Sequence, residues 1–117
     1  MNESFSVLYV TFPDHDTAIK ICEDLVRQKL IACANLFKPH LGVYEWEGEI
    51  QTTSEIGAFL KTRTGLYNEV EQRILSQHPY ECPCIISLPI TRGYFSFLNW
   101  IDQQVKPHIQ QNEINVS

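Results

Sequence analysis

The segment His78-Pro79-Tyr80-Glu81-Cys82-Pro83-Cys84 carries the ligand-type side chains that most invite a chemical reading of this 117-residue chain. Side chains alternate along an extended backbone, so Cys82 and Cys84 fall on one face there. Two thiolates so placed, joined by the His78 imidazole, suit a soft ion such as cuprous copper, or zinc. The spacing is C-x-C rather than the C-x2-C of zinc sites, and no second pair follows. The competing role is structural: Cys84 opens a strand as a small buried hydrophobe, and His78 sits where a helix C-terminus favours positive charge. No cofactor is obligatory on either reading; copper or another divalent metal is the ion the motif allows.

Enzyme chemistry finds little support in the residue pattern. Cys82 and His78 are near in sequence, but a nucleophile–base pair also needs an orienting third group. The loop after Phe12 reads PDHDT and is acidic, unlike a phosphate cradle. Neither a P-loop nor a G-x-G-x-x-G run occurs. His15, His40 and His108 have no spacing partner and read as surface residues. Cys22 and Cys33 lie inside apolar patterns and read as small hydrophobes. The chain is expected to bind rather than catalyse.

Nine Lys and Arg against fourteen Asp and Glu leave a formal net charge of -5. Phosphate backbones are bound through Lys and Arg, and no basic run or basic helix face exists, so nucleic acid and anionic membrane are poor partners. No apolar stretch approaches the roughly 20 residues that span a bilayer. The start of the chain lacks the basic and long apolar regions of a signal peptide. With four cysteines and no sign of export, reduced thiols in the cytoplasm are expected.

The positioning elements follow from periodicity. Residues 5–12 are rich in β-formers and predict a buried strand, ended by Pro13 and Asp14. Asp14 or Asp16 can cap a helix whose apolar stripe is Ala18, Ile21, Cys22, Leu25, Val26 and Leu30. Residues 31–37 form a second strand, interrupted at Lys38-Pro39-His40 as at an edge or bulge. Alternation resumes at residues 43–47, turns at Glu47-Gly48 and returns along residues 55–63. Thr64-Gly65 breaks the strand and can cap a helix with Leu66, Val70 and Ile74 inward; His78-Pro79 ends it. Residues 84–90 form the last strand. A final helix presents Tyr94, Phe97, Leu98, Ile101 and Val105 at helical spacing and closes at Pro107.

The order is β-α-β-β-α-β plus one helix: an α+β domain over residues 1–107, of the ferredoxin-like type with an antiparallel sheet and a long hairpin. Residues 108–117 form a polar tail in which Ile109, Ile114 and Val116 can dock. Two crossover helices cover one sheet face and leave the other open. The hairpin arms are longer than a domain of this size can use, and an isolated two-stranded ribbon is marginal in water. Its tip carries Tyr44 and Trp46, ring types that favour interfaces. Either these rings cover the chain's own helices, or the arm and the open face meet other copies in closed symmetry.

In order and spacing, VTFPD (10–14), LIACANL (30–36), YEWEGEI (44–50), LKT (60–62), HPYE (78–81), LPI (88–90), Gly93 and FLNWI (97–101) resemble CutA proteins over residues 7–106. The resemblance implies a homotrimer of ferredoxin-like domains with sheets turned inward, kinship with PII-type signal proteins, and association with tolerance to divalent metals, copper above all. It also implies a cleft near subunit junctions where Lys61, His78, Tyr80, Glu81 and Trp46 gather around an anion or small metabolite. Val10 stands where copper-associated bacterial members can carry Cys, and Gln77 where a second His can precede His78. The alternatives within this frame are a PII-like small-molecule sensor acting on a partner and a structural scaffold without ligand.

Overall fold

A computed structural model describes residues 4–108 of the chain; the expected docking of Ile109, Ile114 and Val116 lies outside the described residues. The elements are β1 (Phe5–Phe12), α1 (His15–Arg27), β2 (Cys33–Leu36), β3 (His40–Trp46), β4 (Glu49–Arg63), α2 (Tyr67–Leu75), β5 (Ile85–Ile90) and α3 (Phe95–Gln104). The sheet is antiparallel with strand order β2-β4-β1-β5, and β3 prolongs the path by pairing with the far half of β4.

Local chemistry explains the boundaries. Asp14 is extended and its carboxylate accepts the Thr17 N–H at 2.8 Å, capping α1; that bond holds the Asp14 carboxyl below the usual range. The hairpin turns on Glu47 and Gly48, at φ 52° and 85°, the paired left-handed residues that a two-residue loop between twisted strands requires. Expected capping by Thr64-Gly65 does not occur. Residues Thr64–Leu66 form a 3-10 turn, and neither it nor α2 receives a side-chain cap. The Thr64 hydroxyl instead pairs with that of Ser6 at 2.6 Å, stitching the end of β4 to β1.

The return strand is longer than alternation predicts, starting at Glu49 rather than residue 55. Leu36 pairs with Ala58 and His40 with Glu55, so residues 37–39 face only residues 56 and 57. This is a bulge of one extra residue, placed at Pro39, which has no N–H to give a ladder. Phe37 still donates to the Gly57 carbonyl at 2.9 Å.

Leu8, Val10 and Phe12 of β1 and Ile56, Ala58, Leu60 and Thr62 of β4 point to one face, where Ala18, Ile21, Cys22 and Leu25 of α1 and Val70 and Ile74 of α2 bury them. The two helices are tied across their tops: Arg73 donates to Asp24 through Nε at 2.7 Å and Nη2 at 2.9 Å, and Gln77 Nε2 adds a third bond at 2.9 Å. Val26, expected in the stripe, is exposed. Helix α3 departs from expectation more strongly. Only Ile101 within it is buried; Tyr94, Phe97 and the unpredicted Phe95 and Trp100 remain exposed. Beyond its end, Val105 is buried and Lys106 N–H bonds the Lys29 carbonyl at 2.8 Å.

Thr62 is the polar member of the core row, fully buried, and its hydroxyl donates to the Leu30 carbonyl at 2.7 Å. Thr62→Val keeps the shape and orphans that carbonyl. We expect a loss of about 1–3 kcal/mol in urea denaturation, with the slope of the transition unchanged.

Candidate functional site

Where the hairpin leaves the domain, its inner side and the loop between α2 and β5 enclose a cleft of about 610 Å³. From the hairpin come Tyr44, Trp46, Gln51 and Glu55; from the loop Tyr80, Glu81, Cys82 and Cys84; from β1, Thr11. The β-ladder explains the first set. Tyr44 pairs with Gln51, Trp46 with Glu49 and His40 with Glu55, and directly paired residues share a face. The opposite side of the same ribbon carries an apolar row, Leu41, Val43 and Ile50, each 68–71 % exposed.

His78 fixes the loop. It is buried, stacks on Phe12 with ring centroids 5.4 Å apart, and its Nε2 lies 2.8 Å from the Thr11 carbonyl. A carbonyl can only accept, so Nε2 carries the proton; Nδ1 then accepts the Tyr80 N–H at 3.2 Å. Both ring nitrogens are committed to the backbone. His78, expected to join Cys82 and Cys84 as a metal ligand, thus has both ring nitrogens engaged and does not line the cleft with the two thiols; among the described residues no group of three or more His, Cys, Asp or Glu side chains converges. The two thiols do line one cleft, Cys82 exposed and Cys84 half-buried.

Lys61 is likewise elsewhere. It reaches across to the Asn35 side-chain oxygen, with Cys33 Sγ at 3.9 Å and the Phe97 ring at 5.9 Å. Trp46, Tyr80 and Glu81 do meet as expected, but without that cation the cleft is acidic. Glu55 was not singled out in the sequence, yet it is the electrostatic centre. Its side chain is 15 % exposed, and the His40 Nε2 lies 3.9 Å away, beyond hydrogen-bond reach. The thiol of Cys84 is raised by burial and then by Glu55; the Tyr80 hydroxyl is raised by burial, then by Glu55 and Tyr44; the Tyr9 hydroxyl by burial, Cys84 and Glu55. The signal that could have found it is its place opposite His40 across the bulge.

A second groove, of about 550 Å³, runs between α1 and β2 past Ile19, Val26 and Leu36. Its charged members, Glu23 and Arg27, lie 3.8 Å apart as an exposed pair, so no unpaired polar group converges on it and the acidic cleft is the better candidate.

The elements and cleft together define an α+β protein with one helix-covered antiparallel sheet and an acidic, ring-lined cleft where its long hairpin departs. The family model described as CutA1 divalent ion tolerance protein matches residues 6–104, and the chain belongs to the CutA family. It is 41 % identical over 100 residues to the divalent-cation tolerance protein CutA of Pyrococcus horikoshii, covering 86 % of this chain and 97 % of that one. It is 36 % identical to human protein CutA over 86 % of this chain and 56 % of that one. Among solved structures, the periplasmic divalent cation tolerance protein CutA of Archaeoglobus fulgidus matches with a TM-score of 0.85 at 37 % identity, covering 87 % and 99 %. CutA1 of Shewanella sp. SIB1 gives 0.87 at 31 %, covering 92 % and 100 %. Relatives from Arabidopsis and rice are named chloroplastic.

Burial lifts the Cys22 thiol to about 12, so at neutral pH it holds almost no thiolate, the reactive form. Alkylation of the native protein followed by mass spectrometry should label Cys82 first and leave Cys22 unlabelled until the chain unfolds. Labelling of Cys22 at the rate of Cys82 would contradict its packing.

Proposed function

We propose that the protein acts as a homotrimer of ferredoxin-like protomers, a non-enzymatic cytoplasmic binder in the response to divalent cations. The sheet order β2-β4-β1-β5 supports the ferredoxin-like assignment if β2 and β3 are two halves of one bulged strand. The observation that carries the trimer is the sheet face away from the helices. Phe37, Phe59, Ile86 and Leu88 lie there with 37–49 % of their surfaces exposed. A contiguous apolar face of this kind is a contact surface in soluble proteins. On the uninterrupted β4 strand Glu55 and Gln51 share the side of Phe59, so Tyr44 and Trp46 continue this open face into the cleft, while Leu41, Val43 and Ile50 continue the helix-side face beyond its cover. Scattering should return three times the chain mass of 13.6 kDa. Leu88→Glu should break the assembly. A monodisperse, folded wild-type monomer at micromolar concentration overturns the reading. Cell fractionation tests the cytoplasmic placement.

The cleft supports the binding half of this function. It holds Glu55, Glu81, Cys82 and Cys84 and is lined by no Lys or Arg, so it favours cations. With His78 committed, cuprous copper would be held by the two thiolates of Cys82 and Cys84. Titration of reduced protein with cuprous ion against a competing chelator should show binding that is lost in the Cys82→Ser/Cys84→Ser double variant. Equal affinity in the variant removes the thiol pair. The cleft's size favours a second reading, a PII-like sensor of a small molecule that acts on a partner, for which a ligand must raise the melting temperature of the native state.

A further inference from the structure

The cleft is far larger than a bare ion requires. About 610 Å³ falls within the roughly 300–1,000 Å³ typical of small-molecule sites. Three of its walls are aromatic, Tyr44, Trp46 and Tyr80, and two of its polar groups are carboxylates, Glu55 and Glu81. Ring faces carry negative quadrupole density and attract a cation, Trp most strongly. A carboxylate behind such rings supplies the counter-charge. The Glu55 side chain is 85 % withdrawn from solvent, being 15 % exposed, and its basic neighbour His40 stands off at 3.9 Å. A carboxylate so placed gains from a cation delivered to it in the cleft. No Lys or Arg lines the walls, which argues against the anion expected when Lys61 was placed here. The chain's net charge of -5 draws cations toward the surface generally.

We propose that this cleft binds an organic ammonium ion, its charge set against Glu55 and its carbon shell held between Tyr44, Trp46 and Tyr80. The proposal rests on the reading of the cleft as a cation site, but it uses the rings where the metal reading uses the thiols. Neither Cys82 nor Cys84 is needed, and a metal ion gains little from Trp46. The aromatic side chains stand on a two-stranded arm and a loop rather than in the core, so they can be replaced without emptying it.

The experiment is isothermal titration of the intact oligomer with tetramethylammonium, beside its uncharged near-isostere tert-butanol and sodium chloride at matched ionic strength. Tetramethylammonium should bind saturably and the two controls should not. Trp46→Leu and Glu55→Gln should each weaken it about tenfold while their melting temperatures stay within a few degrees of wild type. The Cys82→Ser/Cys84→Ser variant should bind it as wild type does, although it loses cuprous ion. Binding of tert-butanol at similar affinity, or ammonium binding that neither Trp46→Leu nor Glu55→Gln alters, overturns the proposal. Cuprous binding that survives the double serine change alongside intact ammonium binding overturns the metal reading alone.

Discussion

One strand is asked to serve two structures. β4 runs fifteen residues. Its second half pairs with β1 on one side and β2 on the other, deep in the sheet; its first half pairs only with β3, outside the domain. Backbone hydrogen bonding keeps the whole strand continuous, but burial covers only part of it. Everything distinctive here descends from that mismatch. The molecule stretches to 53 Å against 34 and 24 Å in its other directions. The sheet's second face has no helix to lie under. A cleft opens at the point where the strand stops being core and becomes arm.

The site depends on that junction being held firmly from the other side. His78 does this by bridging the Thr11 carbonyl and the Tyr80 N–H while stacked on Phe12. The imidazole that looked like chemistry is in fact joinery. It fastens the loop bearing Tyr80, Glu81, Cys82 and Cys84 to the end of β1, and so sets the width of the gap facing Tyr44 and Trp46. Charge within the gap follows from what is missing as much as from what is present. Lys61, two residues beyond Phe59 on the same strand, leans toward Asn35 and Cys33 instead.

Much of the fold was legible in the sequence because it rests on periodicity and on residues with narrow backbone preferences. Alternation in β1, the Asp14 cap, the Glu47-Gly48 turn and the interruption at Lys38-Pro39-His40 all read directly. What did not read were matters of partnership. Tyr94 and Phe97 have helical spacing, yet spacing cannot tell whether a surface exists for a stripe to meet; within α3 Ile101 is buried and Leu98 packs against the core, while Phe97 stays exposed. Cys82 and Cys84 line one cleft, while His78, from the same segment, does not. Glu55 was overlooked because a carboxylate in an exposed-looking strand carries no local mark, and its burial comes from residues distant in the chain.

The extra residue in the run 37–39 has a wider meaning. β3 takes its facing from the ladder with β4, where directly paired residues share a side, and β2 takes its own from the pairing nearer the core. The surplus residue is the slack that lets one stretch of chain satisfy both. A one-codon insertion or deletion at this spot would therefore tighten or loosen the elbow between arm and body while Tyr44 stays opposite Gln51 and Trp46 opposite Glu49, so evolution can re-aim the arm there without repainting either of its sides.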